Sequence, residues 1–273
     1  MNAAPRSYLF VPGHRPERFP KALAAGADAV IIDLEDAVAP QDKDTARTAV
    51  ATWLSAGTTP VILRINGADT AWFQHDLELL SLPGVAAVML PKAESADQIA
   101  AVRACVPRDK PGIPVLPLIE SAVGLHRLAE LAASPGVERL ALGAIDLQVD
   151  LGLRGATDDD LLPFMLDLVV ASRVAGIGRP VDGVSTMIDD QDSLAADVRR
   201  TRRLGFGGKL CIHPRQVVTV NQGLSPSAAE LAWANKVMAA AAQSAGAVVA
   251  LDGTMIDKPV ILRATAILAE ARR

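Results

Sequence analysis

The sequence predicts an α/β fold in which eight parallel strands, each followed by a helix, close into a barrel. Three observations carry this expectation. Short apolar runs of four or five residues alternate with longer amphipathic stretches along the chain, the pattern of a parallel sheet covered by helices. The length, 273 residues, suits one such barrel, which takes about 250 residues. Finally, ionisable residues follow the apolar runs at once: His14, Asp33 with Glu35, Arg64, Lys92, Glu120, Asp146 and His213. Parallel strands gather their C-terminal ends on one face, so these side chains meet there.

The elements follow in order. The first strand covers residues 7–11, and a helix over 16–25 stops at Gly26. Strand 29–33 leads to helix 42–55 and a stop at Gly57. Strand 61–65 precedes helix 71–80, strand 86–90 precedes helix 95–105, and strand 115–119 precedes helix 123–133. Strand 139–142 is paired with helix 158–175, whose N-terminus is expected to hold Asp158, Asp159 and Asp160, where acids favour the helix dipole. A weak strand at 180–183 precedes helix 194–204, and strand 209–212 precedes helices 215–221 and 227–244. Residues 1–245 thus read as a (β/α)8 TIM barrel. An open doubly wound sheet is the alternative, and the lack of a GxGxxG after the first strand argues against it. Residues 246–273 are left over: a strand-like run, a turn at 252–253, then Asp257, Lys258 and Pro259 before an apolar helix. A closed barrel has no room for another core helix, so this extension is expected to act as a lid over its own barrel mouth or on a neighbouring subunit.

Half of the residues are hydrophobic and only 3% aromatic, with a mean hydropathy of +0.26, so the core must be aliphatic. A net charge of −4 argues against nucleic acid as a partner, which would require a basic excess. Cys105 and Cys211 do not make a disulfide framework and are expected as buried thiols in a reducing compartment. No apolar run approaches the roughly 20 residues of a membrane span, and the first strand is too short for a secretory core. A soluble, cytoplasmic protein is expected.

Glu120 and Asp146 form the sharpest pair. Carboxylates at the ends of neighbouring strands make a sparse hard-cation site suited to Mg²⁺, which keeps waters or substrate oxygens in its octahedron. Alternatively, each caps a helix or pairs with an arginine. Asp33, Glu35 and Asp36 would support the cation from behind or hold Arg64 or Lys92 in salt bridges, unless the run is a solvated loop. Arg64 offers a donor fork to a carboxylate or enolate oxygen, or an ion pair to Asp33 or Glu35. Lys92 could form an imine only if its pKa were depressed; the acids around it favour an ion-paired, organising lysine. His14 and His213 are expected as ordinary hydrogen-bonded histidines.

The stretches VPGHRPERFPKALAAGADAVIIDLEDAV, RING, MLPKAES, LIESAVGL, LGAIDL, LCIHPRQV and MIDKPV, in this order, resemble the citrate lyase β-subunit-like proteins of the HpcH/HpaI aldolase group, relatives of malyl-CoA lyases. The resemblance covers nearly the whole chain. It implies a Mg²⁺-dependent carbon–carbon lyase, usually homotrimeric, acting on acyl-CoA or acyl-carrier-protein thioesters and a 2-oxo acid. The family's metal ligands match Glu120 and Asp146, its substrate-binding arginine matches Arg64, and its C-terminal acid, delivered across a subunit interface, matches Asp257. One departure stands out: Ile145 occupies the place before the metal aspartate where a polar residue is usual.

The implied reaction cleaves a β-hydroxyacyl-CoA to a 2-oxo acid and an acyl-CoA, with Glu120 and Arg64 at the substrate and Asp257 as proton donor or acceptor. Arg15, Arg18 and Lys43 are candidates for the CoA phosphates. A malate-synthase-like condensation with thioester hydrolysis, a citryl-carrier-protein lyase subunit, and a catalytically silent assembly subunit are the competing readings.

Overall fold

The computed structural model describes residues 4–57, 59–107, 112–243, 249–251 and 254–271. Eight strands close a parallel barrel in sequence order: β1 (Ser7–Pro12), β2 (Ala29–Asp33), β3 (Val61–Arg64), β4 (Val85–Leu90), β5 (Val115–Ile119), β6 (Ala141–Leu142), β7 (Val181–Asp182) and β8 (Gly208–Cys211), with β8 returning to β1. Side chains at alternate positions point to opposite faces. Tyr8, Ile31, Ile62, Met89, Leu118 and Leu210 fill the interior, while Leu9, Ile32, Leu63 and Val88 are buried on the helix-facing side. With both faces dry, the strands read as unbroken apolar runs.

The helices of the barrel unit are α1 (Phe19–Leu23), α2 (Lys43–Ala56), α3 (Phe73–Leu77), α4 (Ala96–Ala104), α5 (Ala122–His126), α6 (Leu128–Ala133), α7 (Ala144–Asp150), α8 (Leu162–Ala175), α9 (Gln191–Arg203) and α10 (Pro214–Gly223). They differ from the sequence expectation at three places. The helix expected over 123–133 is broken at Arg127 into α5 and α6. α7 was not expected at all, and α8 begins only at Leu162, so the acids at 158–160 lie in the preceding turn. There Asp160 accepts from the Thr157 amide and hydroxyl, and Asp158 pairs with Arg200.

At the opposite end of the strands from the site, Arg139 is buried. It donates to the Pro5, Arg179 and Pro180 carbonyls and to the Tyr8 hydroxyl, which satisfies its guanidinium without a carboxylate.

The chain forms two compact units, one from Pro5 to Asn221 and one that joins the segment from Gln222 onward with the N-terminal residues through Ala4. In the second, α11 (Ala228–Gln243), the antiparallel pair β9 (Val249–Leu251) and β10 (Thr254–Ile256), and α12 (Lys258–Glu270) share a small core of Ala234, Val237, Ile256, Ala264 and Ile267. The helix read from sequence as the last of the barrel thus packs with the tail. The expected turn at 252–253 lies outside the described residues.

Candidate active site

Asp33 and Arg64 are the last residues of β2 and β3 and are register partners across that strand pair. The fork closes: Arg64 Nε donates to Asp33 Oδ1 at 2.7 Å and Nη2 to Oδ2 at 2.6 Å. Asp33 also accepts the amides of Glu35 and Ala37, fixing the loop that follows β2. Arg64 Nη1 lies 2.9 Å from Glu35 Oε2 and 3.5 Å from Asp36 Oδ2, and its guanidinium stacks 4.8 Å over the Phe10 ring. Burial alone would lower the Arg64 pKa, but Asp33, Glu35 and Asp36 hold it above its ordinary value.

Lys92 Nζ sits 3.2 Å from Glu35 Oε1. Burial would depress its pKa, yet Glu35 raises it above the ordinary lysine value, which keeps the amine charged rather than nucleophilic. Its backbone does something the sequence did not signal. Lys92 has φ +46, a left-handed conformation that costs roughly 1–2 kcal/mol for an L residue. In that conformation its N–H donates to Glu120 Oε1 at 2.8 Å.

Glu120 follows β5 directly and is 3% exposed. Its carboxyl is pushed up to about 8, first by burial and then by Glu35, with Asp146 adding to the rise. Asp146 stands in the first turn of α7 and is exposed. Both line a hollow of about 60 Å³ together with Arg64, Gly143 and Ile145. Among the described residues no group of three or more His, Cys, Asp or Glu converges as a metal cage. Two carboxylates, one of them buried without a matching cation, are a poor Zn²⁺ site but fit Mg²⁺, which retains open positions for water and substrate oxygens.

Other expected residues fall elsewhere. Lys43 is not a rim cation for phosphate: it is buried, and Nζ donates to the Leu34 and Glu35 carbonyls and Asn66 Oδ1 at 2.8, 2.7 and 2.6 Å. It ties the loop after β2 to the loop after β3. Arg15 is half-exposed and paired with Glu17. Cys105 is exposed at the end of α4, contrary to expectation, while Cys211 is buried in β8. His213 Nδ1 accepts from the Arg215 amide at 3.1 Å, whereas His14 Nδ1 is buried with no hydrogen-bond partner among the described residues. Asp257 lies in the second unit as the N-cap of α12, accepting from the Val260 amide at 3.2 Å.

The sequence matches the family model of the HpcH/HpaI aldolase/citrate lyase group over residues 6–214. It is 39% identical over 279 residues to a citrate lyase subunit beta-like protein of Mycobacterium tuberculosis, covering 99% of this chain and 97% of the relative. It is 36% identical over 273 residues to a (3S)-malyl-CoA thioesterase of Cereibacter sphaeroides, covering 97% and 94%. The fold superposes on M. tuberculosis CitE, solved with magnesium, acetoacetate and coenzyme A, with a TM-score of 0.86, 36% identity and full coverage of both chains. By barrel topology, by sequence and by superposition, the chain belongs to the HpcH/HpaI aldolase/citrate lyase family.

Proposed function

We propose that this protein is a Mg²⁺-dependent carbon–carbon lyase that cleaves, or in reverse forms, a β-hydroxyacyl-CoA, giving a 2-oxo acid and an acyl-CoA. The observation that carries the reading is the convergence of Glu120, Asp146 and Arg64 on one hollow at the C-terminal ends of the strands. The magnesium and coenzyme A bound to the solved relative support it.

Glu120 and Asp146 would hold the ion, which supplies Lewis acidity toward the hydroxyl and carboxylate oxygens of the substrate. Lys92, through its N–H, and Gly143, by leaving space, keep Glu120 aimed at the hollow. Arg64 is locked by Asp33 and retains N–H capacity toward an oxygen that becomes negative, so it needs no reorganisation during reaction. The alcohol gives up its proton to solvent as its carbon becomes the carbonyl of the 2-oxo acid. The electron pair of the broken C–C bond passes to the thioester as an enolate, and Asp257, entering the step protonated, donates its proton to the enolate carbon and is reprotonated from solvent. In a cytoplasmic homotrimer Asp257 would come from a neighbouring subunit, with the segment from residue 246 as the lid; the thioester partner would be an acyl-CoA or an acyl-carrier-protein thioester, and the coenzyme A bound to the solved relative supports the first.

The test is to incubate the purified protein and Mg²⁺ with a panel of β-hydroxyacyl-CoA thioesters and read 2-oxo acid release, with chelator as control. Release that is Mg²⁺-dependent is expected; turnover unaffected by chelator defeats the reading. A second reading, thioester hydrolysis, is favoured by the relative named as a (3S)-malyl-CoA thioesterase. It predicts free CoA thiol without 2-oxo acid in the same assay.

A further inference from the structure

Glu120 and Asp146 reach the hollow from different elements, so their separation depends on how those elements are tied. Glu120 is framed on both sides. It follows β5 and accepts the Lys92 amide at 2.8 Å. Its neighbour Ser121 accepts the Gly124 amide and donates to Glu94 Oε1 at 2.6 Å. Asp146 depends on α7, a helix of seven residues whose only buried side chain is Leu147. Ile145 and Val149 on the same helix are 45% and 75% exposed. Packing through one side chain leaves a short helix free to pivot, and its orientation then falls to the hydrogen bonds at its ends.

Two such bonds close a bracket around the carboxylates. At the start of α7 the Gly143 amide donates to the Ile119 carbonyl at 2.8 Å. At its end Asp150, the last residue of the helix, accepts the Ala122 amide on Oδ2 at 2.7 Å. Residues 119 and 122 flank Glu120, and residues 143 and 150 flank Asp146. The pair therefore sits inside one ring of chain, and the Asp150 side chain makes the second closure. A carboxylate at the last residue of a helix opposes the helix dipole, and α7 has no basic residue in its last turn to offset it. The compensation lies in what Asp150 reaches. Ala122 opens α5, and its N–H is one of those that a helix cannot satisfy internally. Asp150 thus serves the joint between two elements rather than the helix that carries it.

We propose that Asp150 is a positioning residue for the magnesium site: through the Ala122 amide it fixes the pivot of α7, and with it the spacing between Asp146 and Glu120. The inference rests on the assignment of those two residues as Mg²⁺ ligands in the lyase reading above. Mg²⁺ demands near-ideal octahedral geometry at about 2.0–2.1 Å, whereas Ca²⁺ accepts flexible shells at about 2.3–2.6 Å. Ligand spacing is therefore read in the preference between the two ions, which a loss of stability alone does not move.

The test measures Mg²⁺ and Ca²⁺ binding to the full-length protein by calorimetry, with denaturant unfolding of each variant. Asp150→Ala removes the acceptor. Ala122→Pro removes the donor and keeps the Asp150 charge, at a first helical position that tolerates proline. Each should lose about tenfold in Mg²⁺ affinity, as deletion of an outer support of a metal ligand does. Ca²⁺ should lose less, so the Mg²⁺ to Ca²⁺ affinity ratio should fall about threefold or more. Asp150→Asn retains an oxygen that accepts the Ala122 amide and should stay within about twofold of the parent. The parent's ratio in either folded loss variant overturns the proposal. An asparagine variant as weak as the alanine variant also overturns it, by assigning the effect to charge. Mg²⁺-dependent 2-oxo acid release with an unchanged ion preference sinks the positioning role and leaves the lyase reading standing. The expected shift in preference, in a protein whose turnover ignores chelator, upholds the positioning role and sinks the lyase reading. A parent that binds no Mg²⁺ sinks both.

Discussion

Gly143 and Glu120 share one space: a methyl group on Gly143 would stand 2.5 Å from Oε2 and 2.6 Å from Cβ of Glu120. The glycine is required by close approach rather than by backbone angle, since its φ of −94 is open to any residue. Gly143→Ala should therefore push the Glu120 carboxylate out of line. We expect Mg²⁺ affinity to fall about tenfold or more, with a stability loss of about 1–3 kcal/mol from overpacking. Calorimetric titration with Mg²⁺, beside denaturant unfolding of the same variant, checks both; undiminished affinity would remove Gly143 from the positioning of Glu120.

The Glu120 carboxyl is raised from 4.5 to about 8 chiefly by burial and Glu35, so an ion held by Glu120 should bind in a pH-dependent way. A raised carboxyl favours the metal-free fold while protonated. That contribution is fully present below about 4.5 and is lost as pH climbs through about 8. Holding a cation requires the ionised form, so binding below pH 8 releases a proton and affinity increases with pH. The thermal stabilisation produced by a fixed Mg²⁺ concentration should be larger at about pH 8.5 than at about pH 6.5. A shift independent of pH over that interval contradicts the buried, protonated state of Glu120.

Asp33 is 1% exposed and accepts four hydrogen bonds, two of them from Arg64. Asp33→Ala removes the carboxylate that Arg64 engages with both ends of its fork. Breaking a buried pair by deleting one member costs about 3 kcal/mol or more, and a free Arg64 should turn toward Glu35 and Asp36. Urea unfolding should report the lost stability, and lyase turnover should fall with it. A variant as stable as the parent would mean that Glu35 and Asp36 suffice.

For Asp257 the informative experiment is complementation. Asp257→Ala and Asp146→Ala should each lack turnover, while the first retains Mg²⁺ binding and the second loses it. Mixing the two under conditions that exchange subunits should restore a fraction of activity, if the acid is delivered between chains. Absence of any rescue, with exchange verified by mass spectrometry, assigns Asp257 to its own chain.

The barrel was legible because strands dry on both faces leave apolar runs that need no partner to be recognised. The Asp33–Arg64 pair was legible too, since both residues end adjacent strands and parallel register sets them side by side. α7 was not. Its sequence, AIDLQVD, alternates apolar and polar like a half-buried strand, and the local pattern conceals a helix that starts directly after β6. The burial of Lys43 depends on Asn66, 23 residues away, a contact no local pattern encodes. The left-handed turn at Lys92 was equally hidden, because a lysine gives no sign of a conformation that usually calls for glycine.

Ile145 and Asp146 are neighbours in the first turn of α7, and both line one hollow. Exchanging the side chain at 145 leaves the helical backbone that presents 146 untouched, so the wall of the hollow can be varied without moving the carboxylate beside it.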